Sequence, residues 1–191
     1  MSPQVASRPG GRSARVQAAV HAAVKELLAE TDRADLTVPA IAERAQVTPS
    51  TIYRRWGDLA ALLADVAVER IRPDAPPADT GSAKGDITAW AEQYSEETSS
   101  PIGQEMLRDI LAARSATANP VRCCELVRRQ LDIIAERASQ RGEFMPAPET
   151  ILDRVVAPIV YRTLFDVPPS ADQVRSLVGE LWAEHARPFE R

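Results

Sequence analysis

The chain has 191 residues, 45% of them hydrophobic and 26% charged, with a formal net charge of −4. That length accommodates a small domain and a larger second one. No stretch has the build of a signal peptide or offers about 20 consecutive apolar residues, so neither secretion nor membrane insertion is indicated and a cytoplasmic chain is expected.

The charge is unevenly spread. Residues 1–56 hold eight Arg/Lys against five Asp/Glu, a net of +3, and residues 57–191 hold 15 against 22, a net of −7. A basic end on an acidic body orients a protein toward a polyanion. Arginine outnumbers lysine 21 to 2, so phosphate contacts here fall to forked guanidinium groups.

In chain order, residues 1–11 contain SPQVASRPGG and are expected to form a disordered arm. A first helix is predicted from Ser13, its cap, to Ala29, with Val16, Val20, Ala23 and Leu27 facing the core. Thr37 then caps a second helix, with Pro39 in its first turn, where a missing N–H costs little. Val38, Ile41, Ala42 and Ala45 fall on one face, and the small residues at 42 and 45 let another helix cross closely. Thr48 and Pro49 repeat the start signal, so the turn is short. The third helix is anchored by Ile52 and Trp56, with Val47 just before them, and exposes Ser50, Thr51, Tyr53, Arg54 and Arg55. So narrow an apolar stripe contributes little core, which makes a contact surface the more economical reading than a merely polar surface helix.

The stretch from Arg12 to Ile71, above all IAERAQVTPSTIYRRW followed by DLAALL, resembles the DNA-binding domain of the tetracycline-repressor (TetR) family of transcriptional regulators. The resemblance implies an all-α chain: a three-helix helix-turn-helix DNA-binding domain at 12–72, then a larger helical effector-binding and dimerisation domain at 73–191. It implies that Thr48 caps the recognition helix, that Pro49, Ser50, Thr51, Tyr53 and Arg54 meet the major groove, and that Tyr53 and Arg55 reach phosphates. Arg12, Arg15, Thr37 and Arg44 complete the expected contact set. Two positions depart from the family pattern. Gln46 stands where glycine is usual in the turn, so a residue with a β-carbon is expected at positive φ. Leu59 stands where a lysine commonly contacts phosphate, a loss that Arg12, Arg15 and Arg44 are expected to offset.

Asp58 opens a fourth helix whose Leu59, Leu62, Leu63 and Val66 pack back on the first three. The run RPDAPPADTGSAKGD, residues 72–86, reads as a loop or hinge. Helices are then predicted over 86–98, 101–115, 119–141, 148–166 and 170–187, with Asn119-Pro120 as a start, Gly142 as a stop and Ser170 with Gln173 as a capping box. Pro158 is expected to kink its helix.

The last two helices carry the most continuous apolar surface. The resemblance assigns part of it to a homodimer, with Val155, Ile159, Arg162, Val174, Leu177, Val178, Leu181 and Trp182 at the interface. It also implies an effector cavity, for which Trp90, Tyr94, Met106, Leu107, Ile110, Leu126, Leu131 and Tyr161 are the candidate lining. Aromatics and Met at helical spacing serve equally as core. The function implied is a homodimeric repressor, released from a pseudo-palindromic operator on duplex DNA by an unidentified small-molecule effector.

Cys123 and Cys124 are adjacent in a predicted helix, where their side chains diverge by about 100°, so a mutual disulfide is disfavoured. With His21 and His185 remote, no zinc site is expected, and no other metal or cofactor. The chain has no Ser-His-Asp grouping, glycine-rich phosphate loop or H-E-x-x-H helix, which leaves an enzyme as the lesser alternative. A helix-turn-helix used only to bind protein is the other, disfavoured by Tyr53, Arg54 and Arg55 on the exposed helix.

Overall fold

The computed structural model describes residues 11–112 and 119–186, and among them every regular element is helical. Apart from Gly11 the expected arm lies outside the described residues, as do 113–115 of the second body helix and the end of the last one. Helix α1 (Gly11–Glu30) leads through a 3-10 turn (Arg33–Asp35) to α2 (Val38–Arg44), α3 (Pro49–Trp56) and α4 (Leu59–Ile71). These four enclose one core, in which Val20, Val24, Ile41, Ile52 and Leu62 are fully buried. Each such side chain contributes about 1.5–3 kcal/mol when withdrawn from water.

The start signals act as local chemistry requires. The Thr37 hydroxyl accepts the Ala40 N–H at 3.3 Å, and the Asp58 carboxylate accepts the Ala61 N–H at 2.7 Å. Two expectations are corrected. Helix α1 begins at Gly11, so Ser13 lies inside it and its hydroxyl accepts from Arg55 instead of capping. Thr48 occupies the N-cap position of α3, yet its hydroxyl makes no bond to the helix backbone and pairs with the hydroxyls of Ser50 and Thr51, each at 2.9 Å.

The body comprises α5 (Ala83–Ser99), α6 (Pro101–Ala112), α7 (Asn119–Arg141), α8 (Pro148–Ile151), a π turn (Leu152–Val156), α9 (Ala157–Leu164) and α10 (Ala171–Ala186). Its main core joins Ile87, Ala91, Leu131, Ile134, Ile151, Val155, Ile159, Val174, Val178 and Leu181. Helix α6 lies along α4, and a smaller cluster of Ala67, Val68 and Ile110, flanked by Cys123 and Leu126, ties the first domain to α6 and α7. The α5–α6 turn is tight enough to demand glycine: a β-carbon at Gly103 would fall 2.0 Å from the Glu97 carbonyl. The predicted single helix over 148–166 is interrupted ahead of Pro158, where the missing N–H releases a backbone carbonyl and the chain widens into the π turn. At α10 the capping box forms as read, with the Ser170 N–H bonded to Gln173 Oε1 at 2.9 Å and the Gln173 N–H to Ser170 Oγ at 3.3 Å.

The stretch expected as a hinge is more constrained than its composition implies. Arg137 donates to the carbonyls of Pro77 and Ala78 at 2.8 and 3.2 Å. Asp86, fully buried, accepts the Thr80 N–H at 2.6 Å and the Thr80 hydroxyl at 2.7 Å, and Arg141 reaches both Asp86 (2.9 Å) and Asp79 (3.1 Å). Burial alone would raise the Asp86 pKa, but the bonds from Thr80 and Arg141 hold it below the ordinary carboxylate value. Helix α5 starts at Ala83, three residues earlier than expected, because Ser82 caps it, its hydroxyl accepting the Gly85 N–H at 3.2 Å. Residues 77–82 are thus a strap bound to the body, and the unstrapped connection is 72–76.

Candidate nucleic-acid interface

The geometry of the helix pair follows from how α2 ends. The Gln46 N–H bonds to the Glu43 carbonyl at 3.1 Å and the Val47 N–H to the Ala42 carbonyl at 2.9 Å, a Schellman turn with Gln46 at φ 55°. It turns the chain sharply enough for α3 to cross α2 over Ala42 and Ala45, with Val47 against the shared core. On α3, Ile52 and Trp56 point inward, at 0% and 8% exposure. Ser50, Tyr53 and Arg54, at i, i+3 and i+4, form one outward face, and Tyr53 is half exposed despite its ring. Among the described residues Arg54 makes no hydrogen bond or ion pair. A phenol and a free guanidinium side by side on an exposed helix supply both a base-edge donor and a phosphate contact.

The other expected contacts are placed differently. Pro49 is exposed and Thr51 half-buried at the start of α3. Arg55 lies on the flank toward α1, donating to Ser13 (carbonyl 3.1 Å, hydroxyl 2.7 Å) and Gln17 Oε1 (2.8 Å), with its guanidinium 5.2 Å from the centre of the Trp56 ring. Arg44 is held by Glu30 (2.7 Å) and Glu26 (3.3 Å) of α1, its bonds to Glu30 keeping that carboxyl below its ordinary pKa. Its charge is therefore spent largely on bracing α2 to α1. Arg15 bonds back to the Gly11 carbonyl at 3.1 Å, and the Arg12 side chain lies outside the described residues. Leu59 is partly buried against the core.

Sequence reasoning missed a polar cluster behind the recognition helix. Asp65 of α4, 8% exposed, accepts the Trp56 indole N–H at 2.9 Å, contacts His21 at 3.0 Å and Gln17 at 3.2 Å, and pairs with Arg122 of α7 at 2.7 Å. The signal was an acidic residue in the middle of LLADVAV, on a helix otherwise buried along that stretch.

The eight residues expected to line an effector cavity divide among different places. Trp90 and Tyr94, stacked at 5.4 Å, and Leu131 belong to the main body core, whereas Met106, Ile110 and Leu126 belong to the cluster beside α4. Leu107 is buried, and Tyr161 is 63% exposed on α9, so its assignment to an interior cavity is corrected. Burial pushes the Tyr94 phenol above its ordinary pKa and the neighbouring Cys123 thiol up to about 11. Met106 does line a cleft between α4 and α6, but at about 30 Å³ it is too small for an effector. A larger, open cleft of about 420 Å³ lies between α5 and the start of α10, beside Glu92, Ser95, Glu96 and Arg175, and involves none of the eight.

The expected dimer residues divide as well. Val155, Ile159, Val174, Val178 and Leu181 are at most 1% exposed within the single chain, because they pack on one another and on α5 and α7. They are core, not interface. Leu177 and Trp182 are half-buried and Arg162 is exposed. Among the described residues no grouping of side chains is suited to hold a metal ion, and no helix is long and apolar enough to cross a membrane.

A tightly turned helix pair with a polar, guanidinium-bearing second helix, set on a helical body, defines a helix-turn-helix DNA-binding protein. Residues 20–66 match the family described as bacterial regulatory proteins, tetR family, and residues 77–181 match the tetracyclin repressor-like, C-terminal domain. An uncharacterized HTH-type transcriptional regulator of Mycobacterium tuberculosis is 28% identical over 190 residues, covering 93% of this chain and 92% of that one. YdeS of Bacillus subtilis, another uncharacterized HTH-type transcriptional regulator, is 30% identical over 153 residues, covering 76% and 77%. In solved structures, a TetR transcriptional regulator from Rhodococcus superposes with a TM-score of 0.61 at 18% identity over 90% of this chain and 97% of that one. Thermus thermophilus FadR, a TetR-family transcriptional repressor in complex with lauroyl-CoA, does so at 0.61 with 14% identity over 92% and 97%. The chain belongs to the TetR family, and it is a DNA-binding transcriptional regulator, not an enzyme.

Proposed function

We propose that the protein is a cytoplasmic homodimeric repressor that holds two copies of α3 at operator spacing and lets go when a small molecule enters its body. The observation that carries the DNA-reading part is the Ser50–Tyr53–Arg54 face, polar and outward on a helix whose apolar residues are both buried. The contacts of Pro49, Thr51 and Arg55, with Thr37, Thr48, Arg44, Arg15 and Arg12 around them, belong to the same proposal, reached over the DNA backbone beside that face. One eight-residue helix reads only a few base pairs, so a two-fold pair reading half-sites about 34–36 Å apart accounts for specificity.

The dimer surface that best supports this arrangement is the outer stripe of α9. Ala157, Tyr161, Leu164 and Phe165 fall at i, i+4, i+7 and i+8, with Tyr161 and Phe165 63% and 64% exposed and their rings 4.7 Å apart. The exposed Arg162 and the half-buried Leu177 and Trp182 of α10 belong to the same proposal. The effector site belongs to the same proposal, in the body beside Tyr94, which stacks on Trp90 and has Cys123 for a neighbour. In FadR the same fold is complexed with lauroyl-CoA. Coupling between effector and operator is reciprocal, each weakening the other by the same factor. Moving occupancy from nearly full to nearly empty takes about 5 kcal/mol of differential affinity.

The test is selection of binding sites from a random duplex pool. The native protein is expected to enrich a pseudo-palindrome, and Tyr53→Ala or Arg54→Ala to lose that preference while keeping the same helical content and melting temperature. Unchanged site selection in both variants would remove α3 as the reading element.

A further inference from the structure

Behind the reading face, Asp65 joins four helices at one carboxylate. Its Oδ2 accepts the Trp56 indole N–H from α3 at 2.9 Å and the Gln17 amide N–H from α1 at 3.2 Å, and lies 3.0 Å from His21 Nε2. Its Oδ1 accepts Arg122 from α7 at 2.7 Å. Burial by itself disfavours the charge, yet the bonds from His21, Trp56 and Arg122 hold the carboxyl well below its ordinary pKa. Gln17 extends the connection, for its Oε1 accepts Arg55 of α3 at 2.8 Å while its Nε2 donates to Asp65. The C-terminal end of the recognition helix is therefore gripped at two points, the buried indole and the flanking guanidinium. The carboxylate that anchors both takes its remaining donor from the body.

We propose that Asp65 is a positioning residue for the recognition helix, and that Arg122 is the body-side contact through which the first turn of α7 sets the pose of α3. The two carboxylate oxygens are rigidly linked. When Arg122 withdraws, Oδ1 is left buried without its charge-assisted donor, and the group must turn toward another donor. Turning it moves Oδ2, and with it Trp56 and Gln17. A second reader–body ion pair, Arg33 with Asp109, ends in the 3-10 turn and touches nothing on α3. Arg122 is also braced by Asn119 Oδ1 at 3.3 Å, and Asn119 is the buried first residue of α7, so the guanidinium follows the start of that helix. The inference rests on the reading of α3 as the DNA-reading helix, but its first readout does not.

The test compares Arg122→Gln with Arg122→Lys in the full chain, since the Arg122 side chain is 42% exposed and either change leaves the cores intact. Amide hydrogen exchange over 49–56 is expected to quicken about tenfold in Arg122→Gln, the scale of one lost charge-assisted bond, with 127–138 of α7 unchanged. The Trp56 indole proton shifts in the same variant, and Arg122→Lys, which keeps a charged donor, restores most of both. Affinity for the selected operator falls about tenfold in Arg122→Gln. In an Asp65→Asn background the Arg122→Gln change has a much smaller effect, because the carboxylate charge that Arg122 meets is gone. Native exchange over 49–56 in Arg122→Gln overturns the proposal, as does an equal effect in the Asp65→Asn background. Should Asp65→Asn fail to fold, the Gln and Lys pair at 122 decides alone. If the native protein selects no DNA site, the reading of α3 falls, and the exchange measurement still decides the coupling.

Discussion

Replacing Gln46 by glycine is expected to stabilise the protein. Gln46 sits at φ 55°, where a β-carbon costs roughly 1–2 kcal/mol. Glycine relieves that strain but loses roughly 0.5–1 kcal/mol more in chain freedom on folding. The Gln46 side chain is exposed and makes no hydrogen bond among the described residues, so nothing else is given up. At the middle of both ranges the net is a gain of about 0.7 kcal/mol, which moves the thermal midpoint of a chain this size by about 1–3 °C. Gly142 supplies the reciprocal control. It ends α7 in the same turn, at φ 65°, with its N–H on Ser139 (3.0 Å) and that of Glu143 on Ala138 (2.9 Å), and a β-carbon there meets nothing within 4 Å. Gly142→Ala is therefore expected to lose about 1 kcal/mol from backbone strain alone. Urea denaturation followed by circular dichroism measures both, the slope of the transition staying constant while its midpoint moves. A neutral or destabilising Gln46→Gly beside a destabilising Gly142→Ala would refute the reasoning that the α2–α3 turn carries this strain.

Two further outcomes are expected. Phe165→Asp, on the exposed stripe of α9, should convert the proposed dimer to monomers in sedimentation at micromolar concentration with helical content unchanged; a mass of two chains at every concentration would put the interface elsewhere. Of the two thiols, Cys124 is exposed while burial raises Cys123 to a pKa of about 11. A thiol reagent at pH 8 should therefore label one cysteine per chain rapidly, and the second only on unfolding or as the pH approaches 11; equal rates at pH 8 would contradict the burial of Cys123.

What could be read from the sequence was what local chemistry determines. Thr37, Asp58 and the Ser170–Gln173 pair announce helix starts because a side-chain oxygen three residues from a free N–H is sufficient cause, whereas Gln46 at positive φ is implied by the resemblance, whose pattern has glycine there. The exposed Tyr53–Arg54 face follows from helical periodicity around Ile52 and Trp56. Periodicity marks an apolar stripe without saying what covers it, so the residues alone leave core and interface both open, and the resemblance assigns Val155, Ile159 and Val174 to an interface although their own chain buries them. Partners remote in sequence leave no local trace: Gln17 and Arg122 lie 48 and 57 residues from Asp65, and Arg137 and Arg141 lie 60 and 62 from the strap residues they hold. Proline and glycine in 72–86 therefore read as slack, when much of that slack is taken up.

The strap also decides where such a protein can be cut and rejoined. A recombination junction within 77–82 would separate Asp79 and Thr80 from the arginine and aspartate that belong with them, whereas one within 72–76 severs none of those bonds. Exchanging DNA-reading heads between relatives is then a matter of five residues of spacer. The transplanted head must also carry an α4 that still fits α6 and still meets Arg122.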